Sequence, residues 1–282
     1  MPELPEVETV RRGLERHLLG ARITSAVIHD CRLVRPFEPV SVEQAITGQR
    51  VTAVDRRGKY LIIRFEESIA LEVHLRMTGS FAAYEPGAAS QFGHVRATIQ
   101  LDTGVRVEYN DPRRFGTFVV DEAETIMDTL NRKLGPEPLT NDFDAHVLRR
   151  ALMRRSTSIK AALLDQRVAA GLGNIYVDEA LLLSGIHPMR TAASIRVYEL
   201  ERLVPHVKER LETAIAAGGS TLRDYRGVEG ADGTMQERFM AYGRAGLPCR
   251  VCGTSMQSAR IAGRGTTWCP ECQPRSGPGS AH

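Results

Sequence analysis

The sequence predicts a multidomain protein of the α+β class, with strands concentrated in its first half and helices in its second. Three observations support this prediction. Short β-prone segments separated by turns occupy residues 23–120, segments with helical periodicity occupy residues 143–216, and two CxxC pairs lie near the C-terminus. The 282 residues are enough for two domains and a small third element.

The N-terminal segment predicts a helix that begins near Pro5. Proline suits the first turn of a helix, and the carboxylates of Glu6 and Glu8 complement its positive end. An apolar stripe at helical spacing follows, formed by Val7, Val10, Leu14 and Leu18. We therefore expect this helix to be buried against a core.

The β-prone segments predict an N-terminal β-sandwich. Strict alternation in Leu71–Leu75 indicates a half-buried strand, and the turn Asp102–Gly104 indicates a hairpin. The other predicted strands are Ile23–Ile28, Val51–Val54, Lys59–Phe65, Ala97–Leu101, Val105–Tyr109 and Phe118–Val120.

The period of the apolar residues changes after a Pro- and Gly-rich linker at residues 134–138. The predicted helices are Phe143–Arg154, Ile159–Leu164, Ile175–Leu183 and Ile195–Ala216. We predict three domains: the sandwich at residues 1–133, a helical domain with a long functional loop at 134–248, and a metal module with a frayed tail at 249–282.

The two CxxC pairs predict one structural zinc ion. Their four thiols are Cys249, Cys252, Cys269 and Cys272. No segment resembles a signal peptide or a membrane span, so we expect a cytoplasmic protein in which zinc is favoured over disulfides. Two short strands, Met256–Ile261 and Thr266–Cys269, are expected between the pairs, with Arg264 at the hairpin tip. The fifth cysteine, Cys31, is expected to be buried or half-buried.

The residues Pro2 and Glu3 pair an amine with a carboxylate. If Met1 is removed, the chain begins with a free proline amine, and an unperturbed α-amino group has a pKa of roughly 7.7–8.0. The positive end of the following helix disfavours the ammonium form. Such an amine can attack a sugar carbon to form an imine, while the acid donates a proton. On these residues alone, a capped N-terminal helix is the simpler interpretation.

Two loops carry residues suited to nucleic acid. Asp111–Gly116 contains two arginines and a phenylalanine, which either enter a base stack or form an ordinary surface loop. Gly171–Asn174 is either an anion site at a helix N-terminus, with Asn174 as the cap, or a tight turn. A basic cluster at residues 149–155 indicates a phosphate-binding surface or a solvated helix face.

Together these motifs resemble the formamidopyrimidine-DNA glycosylase family. The strings MPELPEVETVRRGL, RRGKYL, HLRMTG, NDPRRFG, LGPEPL, GLGNIYVDEAL and YGRAGLPC occur in the family's order, and the resemblance spans residues 1–273. It implies an N-terminal β-sandwich, a helical domain with a helix–two-turn–helix motif around Leu163–Ala180, and a zinc-finger hairpin that enters the DNA minor groove. The implied partner is duplex DNA containing oxidised purines, and the protein is expected to act as a monomer.

The resemblance also implies roles for individual residues. Pro2 would be the Schiff-base nucleophile, Glu3 the proton donor in base release, and Lys59 and Arg264 the residues associated with β- and δ-elimination. The implied DNA-binding residues are Met77, His94, Arg113, Phe115, Arg155 and Asn174. Of these, Met77, Arg113 and Phe115 match the residues that fill the gap left by an everted base. Arg223 falls in a loop, Thr221–Tyr225, that resembles the segment covering the lesion.

The resemblance to this family implies excision of 8-oxoguanine and formamidopyrimidines, followed by β,δ-elimination at the abasic site. Two alternatives remain open at the level of sequence. An endonuclease VIII-like glycosylase would share the chemistry but act on oxidised pyrimidines. A catalytically silent DNA-binding zinc protein would keep the metal module but would not need Pro2, Glu3 and Lys59 together.

Overall fold

The structure, a computed structural model, describes residues 2–221 and 227–275. The chain divides into two compact units. The first unit comprises Met1–Arg132 and Ile215–Thr234, and the second comprises Lys133–Ala214 and Met235–His282. The predicted domain boundaries at residues 133/134 and 248/249 stay predictions.

The first unit contains two four-stranded antiparallel sheets, together with helices α1 (Leu4–Leu18) and α2 (Pro39–Ile46) and almost all of α3 (Ala123–Lys133). Helix α1 lies where its apolar stripe predicts. The strands are β1 (Ile23–Ile28), β2 (Val51–Arg57), β3 (Tyr60–Phe65), β4 (Ile69–His74), β5 (Ser80–Tyr84), β6 (Val95–Leu101), β7 (Arg106–Asn110) and β8 (Thr117–Glu122). One sheet has the order β1-β6-β7-β5 and the other β2-β3-β4-β8.

The core of the first unit combines α1 with the inward-facing residues of both sheets. Val7 and Leu14 of α1 are fully buried in this core. Each buried aliphatic side chain of this size contributes roughly 1.5–3 kcal/mol. The Arg11 guanidinium donates to the Val54 carbonyl at 3.0 Å, which fixes α1 against β2. The N-terminal residues are therefore attached to a rigid element.

The segment Ile215–Thr234 belongs to the first unit although it follows a helix of the second along the chain. Val228 packs so closely on α1 that a Cβ built at Gly13 would lie 2.8 Å from its side chain. The Ala83 backbone N–H donates to the Val228 carbonyl at 3.2 Å. These contacts explain why a glycine occupies the middle of α1.

The second unit contains helices and one β-hairpin. The helices are α4 (Ala145–Leu152), α5 (Ile159–Leu164), α6 (Asn174–Leu183) and α7 (Val197–Ala216), and the hairpin strands are β9 (Gln257–Ile261) and β10 (Arg264–Trp268). Helices α5 and α6 with their connecting turns form the helix–two-turn–helix motif. The predicted fold class is confirmed: a β-sandwich with an N-terminal helix, a helical unit and a zinc-finger hairpin.

Several local features differ from the prediction. The sequence reading missed β5 and the helices α2 (Pro39–Ile46) and α3 (Ala123–Lys133). The prediction that Cys31 is buried or half-buried is wrong, because Cys31 is exposed. The hairpin turn consists of Ala262 and Gly263, whose φ angles are 50° and 73°, so Arg264 is the first residue of β10 rather than part of the tip. None of the described helices combines the length and apolarity needed to cross a membrane.

Candidate active site and nucleic-acid interface

The residues Pro2 and Glu3 lie buried immediately before α1. Glu3 is the N-cap of the helix, and Pro5 occupies its first turn. The Glu6 carboxylate accepts a hydrogen bond from the Glu3 backbone N–H at 2.9 Å, which is half of a capping box. The amine and carboxylate predicted to react are therefore held at the positive end of a helix, where an ammonium is disfavoured.

Glu6 also fixes a distant part of the chain. Its second carboxylate oxygen accepts hydrogen bonds from Ser220, at 2.9 Å from the backbone N–H and 3.0 Å from the hydroxyl. The sequence reading treated Glu6 only as a helix-end residue, because its partner lies 214 positions away. Of the predicted lesion-covering segment, Thr221 is described and accepts a hydrogen bond from the Gly233 backbone N–H at 2.8 Å, whereas residues 222–225, including Arg223, lie outside the described residues.

Lys59 occupies a two-residue turn between β2 and β3. Gly58, the other turn residue, has a φ of 57°, which glycine adopts without strain. The lysine is only 6% exposed, so it is not the exposed turn residue that its position alone would favour. His74 pairs with Tyr60 across the sheet, and its pKa is lowered to about 3 by burial and by the charges of Arg76 and Lys59. The imidazole is therefore neutral near pH 7.

The turn before β3 is also tied to α1. The Arg56 guanidinium donates to Glu8 at 3.1 Å and to the Gly58 carbonyl at 3.1 Å. Burial alone raises the pKa of Glu8, but a hydrogen bond from Arg12 and the charges of Arg11 and Arg56 lower it below its usual range. An ionised Glu8 thus links the N-terminal helix to the lysine turn.

Met77, Arg113 and Phe115 lie on two loops of the first unit. Phe115 is 50% exposed, and the Arg113 guanidinium lies 4.8 Å from the centre of its ring. Met77 is half-buried, and His94 is exposed. The His94 carbonyl accepts a hydrogen bond from the Asp111 backbone N–H at 3.0 Å, which places His94 beside the loop that carries Arg113 and Phe115.

Both loops contain a strained residue. Arg76, next to Met77, has a φ of 54°, and Arg114, next to Phe115, has a φ of 58°. A left-handed conformation costs a non-glycine residue roughly 1–2 kcal/mol, so the surrounding hydrogen bonds must hold it. Strain of this kind is concentrated at functional sites.

Asn174 was expected to cap α6, but it is the first residue of that helix and Gly173 is the cap. Its side-chain amide instead donates to the Gly265 carbonyl of the zinc-finger hairpin at 2.9 Å. Its side-chain oxygen is buried without a hydrogen-bond partner among the described residues. Asn174, Tyr242 and Gly265 line a groove of about 500 Å³.

The Gly265 carbonyl has a second donor that the sequence reading missed. The fully buried Lys160 ammonium lies 3.2 Å from this carbonyl and 2.6 Å from the Asp178 carboxylate. Burial raises the pKa of Asp178 to about 6, although Lys160 opposes the shift. The one signal in the sequence is a lysine within the otherwise apolar stretch 159–164. Arg264, directly before Gly265, is exposed.

Arg155 has intramolecular partners. Its guanidinium donates to Asp165 at 2.8 Å and to the Ala151 carbonyl at 3.1 Å. Hydrogen bonds from Arg167 and Arg155 hold the pKa of Asp165 well below its usual range. A contact between Arg155 and DNA stays a prediction.

The four cysteines fit a structural zinc site. Their sulfur atoms all lie within 4.8 Å of one another, with 3.4 Å between Cys252 and Cys269 and 3.9 Å between Cys249 and Cys272. A tetrahedral site with Zn–S bonds of about 2.3 Å places its sulfur atoms about 3.8 Å apart. Four thiolates fill the coordination sphere, so the ion braces the hairpin and leaves no position for a reactant.

Three family models match the chain. They are the formamidopyrimidine-DNA glycosylase N-terminal domain over residues 1–118, the formamidopyrimidine-DNA glycosylase H2TH domain over 134–226, and a zinc finger found in FPG and IleRS over 246–275. Curated proteins named formamidopyrimidine-DNA glycosylase are similar along nearly their full length. The protein of Methylococcus capsulatus is 41% identical over 97% of this chain and 100% of its own, and that of Rhodopseudomonas palustris is 44% identical over the same shares.

Solved structures show the same fold bound to DNA. The complex between the Lactococcus lactis Fpg and an abasic-site-containing DNA aligns with a TM-score of 0.90 at 37% identity, covering 96% of this chain and 99% of that chain. A MutM in complex with carbocyclic 8-oxo-G-containing DNA aligns with a TM-score of 0.89 at 38% identity, covering 97% and 100%. On fold, zinc site and full-length similarity, the chain belongs to the formamidopyrimidine-DNA glycosylase family.

Proposed function

We propose that this protein excises oxidised purines such as 8-oxoguanine and formamidopyrimidines from duplex DNA, and then cleaves the abasic site through a Schiff base on Pro2. The observation that carries the proposal is the buried Pro2–Glu3 pair held at the start of α1 by Glu6. The activity named for the family's full-length relatives supports the substrate class.

The first step would replace the bond from C1′ to the base by a bond from C1′ to the proline nitrogen. Removal of Met1 frees the secondary amine, and its lone pair attacks C1′. Glu3 donates a proton as the sugar ring opens, and the base leaves with a proton. The product is an iminium ion, in which the proline nitrogen has lost its proton and carries a fixed positive charge.

The iminium ion would then drive strand cleavage. It withdraws electrons from the sugar, so the C2′ proton becomes acidic, and the phosphates leave by β- and then δ-elimination. Lys59 is proposed to assist the first elimination, and Arg264 the second. We also propose that Asn174 and Arg264 bind DNA phosphates, because an amide beside a helix N-terminus and an exposed guanidinium both suit an anion.

Access to C1′ would require eversion of the damaged nucleotide, because the base stack shields the sugar. Met77, Arg113 and Phe115 are proposed to fill the gap, which offsets an unstacking cost of a few kcal/mol. The exposed Phe115 ring and the guanidinium above it supply the apolar and cationic surfaces that this role needs.

Borohydride trapping tests the proposal. The protein is incubated with a DNA duplex that contains 8-oxoguanine in the presence of borohydride, and the yield of covalent protein–DNA adduct is measured. We expect an adduct with the parent protein and with Pro5→Ala, which changes a proline of the same segment, and a strong loss when the N-terminal nitrogen is selectively acetylated. An undiminished adduct with the acetylated protein would contradict the proposal. Faster excision of thymine glycol than of 8-oxoguanine would instead identify an endonuclease VIII-like specificity.

A further inference from the structure

We propose that Asp111 is a positioning residue for base eversion, because its carboxylate joins the two loops that carry the gap-filling side chains. The Met77 loop is residues 75–79, and the Phe115 loop is residues 111–116. The inference rests on the proposed function, since it assumes that Met77, Arg113 and Phe115 enter the base stack. It adds the feature that would make these side chains act as one preformed unit.

The Asp111 carboxylate organises its own loop first. Asp111 is 1% exposed and directly follows β7. One carboxylate oxygen accepts hydrogen bonds from the backbone N–H groups of Phe115 and Gly116, each at 2.8 Å. The other accepts from the Arg113 N–H at 3.2 Å. These bonds surround Arg114 and hold its left-handed backbone in place.

The same carboxylate reaches the other loop. The Thr78 hydroxyl, next to Met77 in the chain, donates to the Asp111 oxygen at 2.5 Å. The Thr78 oxygen in turn lies 3.4 Å from the Arg113 backbone N–H. Met77 is therefore adjacent in the chain to Thr78, one of the donors to Asp111, and the backbone of Arg113 is itself a donor to Asp111. A shift of either loop relative to the other would break at least one of these hydrogen bonds.

Both loops pack against the hydroxyl of Tyr109, a residue of the core. A Cβ built at Gly79 would lie 2.3 Å from the Tyr109 hydroxyl, and one built at Gly116 would lie 1.8 Å from it. The Tyr109 ring is fixed between Phe81 and Phe118, at centroid distances of 5.0 and 4.9 Å. Glycine in both loops therefore lets them rest on the same rigid hydroxyl.

The bond pattern requires a carboxylate rather than an amide. Four donors converge on two oxygens, and an asparagine would place an NH₂ group against at least one N–H or hydroxyl donor. The loops of Asp111→Asn would lose their fixed relation while the N-terminal residues and the lysine turn stay intact. We expect slower eversion of a stacked base and little change in the reaction of a sugar that has already lost its base.

Single-turnover rates on two duplexes test the inference. One duplex carries 8-oxoguanine and the other a preformed abasic site. We expect Asp111→Asn to slow 8-oxoguanine excision about 30-fold and abasic-site cleavage less than about 5-fold, since eversion costs a few kcal/mol only for a stacked base. Thr78→Val should slow excision about 5-fold for the loss of one hydrogen bond, and Thr78→Ser should restore the rate. Asp121→Asn, an exposed aspartate on β8, is the matched control.

A second measurement separates positioning from folding. 2-Aminopurine placed opposite the lesion reports insertion into the stack, and we expect its fluorescence change to be slower in Asp111→Asn and Thr78→Val. Equal slowing on both duplexes would mean that Asp111 is only structural and would overturn the inference. If Phe115→Ala blocks excision while Asp111→Asn and Thr78→Val do not, the inference fails and the proposed function stands. Absence of a borohydride-trapped adduct on Pro2 in the parent protein would instead contradict the proposed function itself.

Discussion

Asp111 in the first unit and Lys160 in the second are both buried ionisable side chains, and the first hydrogen-bonds two loops whereas the second hydrogen-bonds strand β10, but their partners differ in charge. Asp111 faces neutral donors, namely the Thr78 hydroxyl and backbone N–H groups. Lys160 faces an opposite charge, Asp178, and one carbonyl. Removing the charge of Asp111 therefore changes mainly geometry, whereas removing that of Lys160 leaves a second charge buried without its partner.

The largest expected effect follows from the ion pair. Lys160→Met should destabilise the second unit by about 3–5 kcal/mol, because the Asp178 carboxylate stays buried without its countercharge. Urea denaturation measures the loss, and the exposed Lys133→Met is the control. The double variant Lys160→Met/Asp178→Asn should recover much of it. A loss below about 1 kcal/mol in the single variant would show that the pair is not held as described.

The next effect concerns the packing of Gly116 against the Tyr109 hydroxyl, next to the Asp111 hydrogen bonds. Gly116→Ala should cost about 3 kcal/mol, the upper end of the range for overpacking, because its Cβ would lie 1.8 Å from the Tyr109 hydroxyl. Tyr109→Phe removes that oxygen and should recover part of the stability, since the ring carbon Cζ would still lie 2.8 Å from the added Cβ. Gly93→Ala, where a Cβ meets no atom within 4 Å, serves as control. An unchanged melting temperature in Gly116→Ala would contradict the close contact.

The smallest effect concerns acid. The folded pKa of His74 is about 3, below its unfolded value near 6.5, so the unfolded chain binds more protons at low pH. The contribution of His74 is fully present above pH 6.5 and is lost as pH falls toward 3. Between pH 7 and 5 this loss amounts to about 2 kcal/mol. The free energy of unfolding of the parent protein should therefore fall between pH 7 and 5, and that of His74→Asn should fall by about 2 kcal/mol less.

Local signals predicted much of the fold. The strand Ile23–Ile28 and helix Ile159–Leu164 match their predicted bounds, because alternation, periodicity and turn residues are written in the adjacent sequence. The four zinc ligands were equally local, as two CxxC pairs. The helix Pro39–Ile46 was missed, since it buries only Val42 and Ile46, which are too few apolar positions to establish a helical period.

The contacts that position the reactive groups could not be predicted in this way. Ser220 lies 214 residues from Glu6, and Thr78 lies 33 residues from Asp111, so only the folded chain brings each pair together. Asn174 misled the reading because an asparagine after glycine is typical of a cap, yet its amide bonds the hairpin. Arg264 was predicted to lie in the hairpin turn but is the first residue of β10, because the turn is closed by Ala262, whose positive φ is rare for alanine.

The central claim is that the proline nitrogen carries the covalent intermediate. The most direct test is peptide mapping by mass spectrometry of the borohydride-trapped complex, after the DNA is digested to its sugar remnant. The account predicts that the modified peptide begins at Pro2, lacks Met1, and carries the reduced deoxyribose fragment on its N-terminal nitrogen. A remnant on Lys59 or another lysine, or on a peptide that retains Met1, would contradict it.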